Sequence, residues 1–285
     1  MKKFNQFIEE KYMRFPEGKC KALTFSYDDG VSADIRLLMT FEKYGLKGTF
    51  NLNSDRFDCK EWHDRMDEEQ TYNTFKNCGQ EIALHGARHV FLTKVPLCEA
   101  VKEIVDNRAY LENKFNTIVR GMAYAYSGFN DDIKRVLKDL GVAYARTTVS
   151  TGSFALPEDF FEWNPTCHHN DKDIKDLCEK FFNTTPLTEG KLRESRLFYI
   201  WGHSYEFDDN DNWDIIEDIG KRVSASDDIW LATNIEIYEY ITAYKNLVFS
   251  LDGERVYNPS AIPVWIELRR KTYKVGAGQT VAFDK

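Results

Sequence analysis

Alternation constrains this chain more than any other feature. Short β-prone runs that end in polar residues are separated by stretches with helical spacing of apolar positions. "KALTFSY" (21–27) reads as a strand, "ADIRLLMTFEKYG" (33–45) as a helix stopped at Gly45, and "GTFNLN" (48–53) as a second strand. "QEIAL" (80–84) is the third, after a polar, partly helical excursion over 54–79 that is long enough to be an insertion over one end of a sheet. Helices over about 96–115 and 130–140 lead into strands over 118–126 and 142–147. Helices over 173–183 and 213–223, strands over 196–203 and 228–233, and a last helix over 234–246 complete the series. This pattern predicts a parallel sheet covered by helices, with a (β/α) barrel as the leading architecture and an open doubly wound sheet as the second. Beyond 246, short alternating runs broken by Asp-Gly, Asn-Pro and Gly-Ala-Gly predict a small antiparallel hairpin appendage over 247–285. Residues 1–20 are then a lead-in and 21–246 the barrel.

With 285 residues, 42% hydrophobic and 14% aromatic, the chain can bury a sizeable core. A formal charge of −8 without a basic stripe argues against nucleic acid as a partner, because phosphates would be repelled. The start, "MKKFNQFIEEKYMRF", lacks the apolar run of an export signal, and no stretch approaches a membrane span. A cytoplasmic location is the expectation. The six cysteines form no C-x-x-C pair, so reduced thiols are expected rather than a zinc ribbon or a redox motif. Oligomeric state is not legible.

Barrels and doubly wound sheets share one rule: chemistry sits at the carboxyl ends of the strands. Asp28 and Asp29 follow the first strand, His85 the third, Tyr124 and Tyr126 end the fourth, Arg146 ends the fifth, and His203 follows "LFYIWG". Two adjacent carboxylates are an ordinary strand-ending turn when taken alone. They are also tolerable where a cation neutralises one of them. In "GQEIALHGARHVFL" (79–92), His85 and His89 stand four apart; on a helix both rings would project from one face, a spacing that suits two ligands of one metal ion.

These residues carry a resemblance. "TFSYDDG" (24–30) and "EIALHGARH" (81–89) resemble the first two motifs of the polysaccharide deacetylases, the carbohydrate esterase family 4 or NodB-homology group. The resemblance implies a distorted (β/α)7-type barrel, with Asp28 as general base, Asp29, His85 and His89 as metal ligands, and His203 as general acid. It further implies one divalent ion, zinc first, with cobalt, nickel or manganese as alternatives. The implied reaction is removal of N- or O-linked acetyl groups from a small saccharide, with C–N hydrolysis of a non-sugar amide or cyclic ureide, or a non-catalytic carbohydrate-binding barrel, as alternatives. The third motif departs from the family pattern: Ala123 stands where an arginine is usual, Ala125 in place of a proline, and Tyr126 for the tyrosine. Arg120 is three residues early, so Arg146 is the candidate to replace that arginine. The fourth motif has a loose echo in "DFFEW", which suggests Asp159 and Trp163. Tyr126, Trp163, His168 and Trp201 are candidate substrate contacts, His169 is an alternative to His168, and Tyr205 is a further aromatic platform. A backbone N–H in the Tyr126 loop is the expected oxyanion donor.

Overall fold

The structure, a computed structural model, describes residues 10–60, 63–184 and 194–284. The first half of the chain runs β1 (Tyr12–Arg14), β2 (Lys21–Asp28), α1 (Asp34–Tyr44), β3 (Gly48–Leu52), α2 (Glu68–Phe75) and β4 (Glu81–Leu84). It continues with α3 (Leu97–Phe115), β5 (Gly121–Ala123), α4 (Asp131–Asp139), β6 (Tyr144–Arg146), β7 (Cys167–His168) and α5 (Ile174–Asn183). Next come β8 (Arg196–Gly202), α6 (Glu206–Asp209), α7 (Asp214–Ser224), β9 (Ile229–Leu231) and α8 (Asn234–Lys245). The tail holds β10 (Val248–Phe249), β11 (Arg255–Tyr257), β12 (Val264–Leu268), β13 (Lys271–Val275) and β14 (Thr280–Ala282).

The parallel sheet has the order β6-β5-β4-β3-β2-β8-β7 and curls into the expected distorted barrel. Strand β9 pairs with Lys21–Leu23 of β2, while β3 pairs with Phe25–Asp28 of the same strand. One edge of β2 is therefore shared by two neighbours. The open side between β6 and β7 is spanned by residues 163–168: Trp163 bridges to Arg146, and Cys167 and His168 pair with Ile200 and Trp201 of β8.

Period-two alternation sorts each strand into two faces. Phe25, Tyr27 and Phe50 turn outward and meet Phe41 of α1 at ring distances of 5.1 to 6.3 Å. Thr24, Ser26 and Asp28 turn inward and are all buried. The inner face is polar and extensively bonded: Asn234, first residue of α8, accepts from Thr24 and donates to Tyr199, and its N–H donates to Thr49. Buried Glu81 accepts from Thr49, from Tyr144 and from the N–H of Ile235. Paired polar groups of this kind escape the penalty of burial and fix the register of the strands around them.

The tail is more than a hairpin. It builds two three-stranded sheets, β1-β12-β13 and β10-β11-β14, and the first recruits the lead-in strand β1. Arg14 is buried there against Glu267 at 2.9 Å. The sequence reading assigned no strand to residues 12–14, because a three-residue run carries no periodic signal. No helix among the described residues is long and apolar enough to cross a membrane.

Candidate active site

The carboxyl ends of the barrel strands surround a cleft of about 590 Å³. Asp28, Asp29, His85, His89, Tyr126, Trp201 and His203 all line it. Part of the wall comes from the 54–79 excursion, which contributes Arg56, Cys59, His63 and Arg65.

Asp28 closes β2 and is 2% exposed. Arg146 Nη2 lies 2.6 and 2.5 Å from its two carboxylate oxygens, and Asn51 Nδ2 donates to Oδ1 at 2.8 Å. Burial alone would raise this carboxyl, but Arg146, His85 and His203 outweigh it and hold Asp28 below the ordinary carboxylate range. The guanidinium is itself fixed: Nε donates to Ser26 Oγ at 3.1 Å, Nη1 to Thr147 O at 3.1 Å, and its face lies 4.5 Å from the Trp201 ring centre. Arg146→Lys keeps the charge and loses the planar fork. Activity is expected to fall by roughly 10- to 100-fold, the worth of one charge-assisted hydrogen bond, while metal content stays. Full activity in the variant would return Arg146 to a structural role.

Asp29 follows in the left-handed region, at φ +87°, and Gly30 takes φ +68°. The turn swings the second carboxylate away from the first. Asp29 Oδ1 stands 3.8 Å from His85 Nε2 and 3.6 Å from His89 Nε2. Both distances are too long for hydrogen bonds. They suit a tetrahedral ion, whose bonds of 2.0–2.2 Å would set ligand atoms about 3.3–3.6 Å apart. The N–H at His85 Nδ1 donates to Ala123 O at 2.9 Å, so in the neutral ring the lone pair sits on Nε2, on the side of Asp29. Burial, helped by neighbouring His85, pulls the His89 imidazole down to about 4, so this ring presents a lone pair as well. The three residues fit a divalent metal ion.

The helix that would align His85 and His89 is absent: residues 85–91 form a loop. Gly86 and His89 take φ +78° and +60°, and this double turn brings the two rings to 4.7 Å.

His203 lies just past β8 with Nε2 3.9 Å from Asp29 Oδ2. Its Nδ1 faces Glu206 Oε1 at 3.4 Å, and its backbone N–H donates to Glu206 Oε2 at 2.9 Å. Burial lowers this imidazole, but Glu206, Asp28 and Asp29 outweigh it and the net shift is upward. The group keeps its proton further into the neutral range than a free histidine.

Two candidate substrate contacts are corrected. Trp163 is 1% exposed and packs edge-on against Tyr144 and Tyr199, each two residues deeper along its strand than Arg146 and Trp201. Because its backbone closes the barrel, its indole fills the interior one layer below the cleft. His168 lies outside the cleft lining and turns Nε2 to Glu206 Oε2 at 3.1 Å. Tyr205 reaches the cleft, but His63 stacks on it at 3.7 Å. Tyr126 stays at the rim, stacked on Phe91 at 5.2 Å.

The sequence reading missed Asn51, Arg65 and Glu206. Asn51 had a signal, an amide at an inward position of a strand, and Glu206 follows His203 by one helical turn. Arg65 had none: antiparallel contacts of 64–66 with 30–32 bring it to Asp29, where Nη2 lies 2.8 Å from Oδ1 and Nη1 donates to the backbone oxygen.

Asp34 is a further buried carboxyl, 1% exposed, accepting from Ser204 Oγ at 2.6 Å. Burial pushes it up to about 8. A folded-state value above the unfolded one gives stability that is whole below about pH 4 and is lost as the pH rises toward 8. Asp34→Asn imitates the protonated form. In metal-free protein its gain in stability over the wild type is expected to grow between pH 4 and 8 to, at most, about 5 kcal/mol. Urea midpoints at both pH values check this, and parallel pH dependences would refute it.

A family model described as polysaccharide deacetylase matches residues 15–145. No curated protein matches the sequence. A Mycobacterium smegmatis protein for which polysaccharide deacetylation is the suggested activity superposes with a TM-score of 0.59, at 16% identity over 84% of this chain and 96% of that one. The peptidoglycan deacetylase PdaC of Bacillus subtilis gives 0.50, at 19% identity over 81% and 95%. The allantoinase PuuE gives 0.58, at 11% identity over 79% and 91%. At these identities the likenesses show the fold.

Proposed function

We propose that this chain, whose residues 15–145 match a family model described as polysaccharide deacetylase, is a metal-dependent deacetylase acting on a small acetylated saccharide. One observation carries the reading: a carboxylate held ionised by Arg146, a carboxylate with two imidazoles, and an imidazole whose hold on its proton nearby carboxylates strengthen meet in a single cleft. When bound at Asp29, His85 and His89, a divalent ion supplies an acidified water and polarises the acyl oxygen. The set of two nitrogens and one oxygen suits zinc, with cobalt, nickel and manganese as alternatives.

Asp28 takes the proton of the attacking water; Arg146 and Asn51 hold the carboxylate in place and Arg146 keeps it charged. His203 donates a proton to the departing amine or alcohol, with Glu206 fixing the ring. A backbone N–H of the Tyr126 loop faces the developing oxyanion. Trp201 and Tyr126 are the remaining candidates for contact with the saccharide.

A second reading, C–N hydrolysis of a small non-sugar amide or ureide, is favoured by the wall. Arg56, His63 and Arg65 close the cleft with nitrogen-rich side chains, and Tyr205 is already covered by His63. Zinc-loaded enzyme should release acetate from one or more members of a panel of N- and O-acetylated mono- and oligosaccharides. Ring opening of cyclic ureides without acetate release would support the second reading instead. Bound metal with no turnover on either panel would leave the binding barrel.

A further inference from the structure

We propose that His168, His169 and Glu206 form a second divalent-metal site, independent of the deacetylase reading and of the Asp29 site. Glu206 Oε2 lies 3.1 Å from His168 Nε2 and 3.3 Å from His169 Nε2, and one ligand atom from each residue falls within 4.8 Å of the others. These separations are close to the edge of a tetrahedron with bonds of 2.0–2.2 Å, about 3.3–3.6 Å.

His169 gives the second, independent observation. It is 1% exposed, and neither ring nitrogen makes a hydrogen bond among the described residues. The ring stacks on Phe207 at 4.0 Å and on Tyr27 at 5.7 Å. A phenylalanine would fill such a slot without the penalty of burying two polar nitrogens. A side chain at Gly202 would overlap His169 Nδ1, so the end of β8 is hollowed to admit this ring. An ion on Nε2 uses the stranded lone pair.

Two imidazole nitrogens and a carboxylate oxygen select zinc, cobalt or nickel over magnesium or calcium. His168 has to adjust. The Asn170 N–H points to its Nδ1 at 3.1 Å, which puts the ring proton of the metal-free protein on Nε2, facing Glu206. On loading, that proton passes to Nδ1 by way of solvent and the Asn170 N–H turns outward. Coordination through Oε2 leaves Glu206 Oε1 facing His203 Nδ1. The second ion thus clamps the carboxylate that orients the cleft histidine.

Untagged protein stripped by a chelator and dialysed against zinc is expected to take up two equivalents. Asp29→Ala should keep one and His168→Ala should keep one, whereas the double variant should keep none. His169→Phe, which preserves the aromatic stack, should match His168→Ala. Cobalt bound to Asp29→Ala should show d–d bands that vanish in the double variant. Zinc uptake by His168→Ala and by His169→Phe equal to that of the wild type overturns the proposal. A wild type that binds one equivalent, lost in Asp29→Ala and kept in His168→Ala, overturns it as well.

Discussion

Asp28→Asn is expected to keep the bound metal and abolish turnover, and Asp29→Ala to lose the metal. The two carboxylates are neighbours in sequence but face different partners. Asp28 is enclosed by Arg146 and Asn51, whereas Asp29 Oδ1 faces two imidazole nitrogens at 3.8 and 3.6 Å. Asparagine has nearly the shape of Asp28 but cannot accept a proton from water, so the loss is at least the ~10²- to 10⁴-fold of a general base. Buried Arg146 is then left against a neutral amide, and breaking a buried pair typically costs about 3–5 kcal/mol. Thermal melts must therefore accompany the kinetics. Metal analysis decides the division of roles, and equal metal loss in the two variants would sink it.

His203→Ala should slow an N-acetyl sugar by roughly 10²- to 10⁴-fold and an activated aryl acetate only slightly. An amine cannot depart without a proton, whereas an aryloxide can. Bound metal should be unchanged, since His203 Nε2 faces the other oxygen of Asp29, Oδ2, and stands outside the Asp29, His85 and His89 cluster. Equal slowing on both substrates would remove His203 as the proton donor. Metal loss would make it a ligand.

The barrel was legible because strand and helix periods differ and because most of its strands end on, or are followed by, a polar residue. The positions of Asp28, His85, Arg146 and His203 at strand ends were readable for the same reason. What escaped the sequence is what the chain makes by turning. His85 and His89 meet through two left-handed residues in a loop, not along a helix. Trp163 belongs to the segment that closes the barrel, and nothing local to "DFFEW" says that its backbone bridges to Arg146. Arg65 reaches Asp29 from an excursion whose apolar pattern is silent about where it folds back.

The pairing of β1 with β12 sets an order of events in synthesis. Tyr12 lies opposite Glu267, so the first strand leaves the ribosome about 250 residues ahead of its partner. At roughly 5–20 residues per second that interval is on the order of 10 to 50 s. Meanwhile the barrel strands and the cleft they carry are already made. Met13 and Phe15, whose neighbours include Ile266 and Tyr240 in the finished protein, wait through that interval without their permanent cover. The catalytic half can thus assemble early, but the two ends of the described chain lock together last, and until then the nascent protein carries an unpaired strand that a chaperone or another chain can capture.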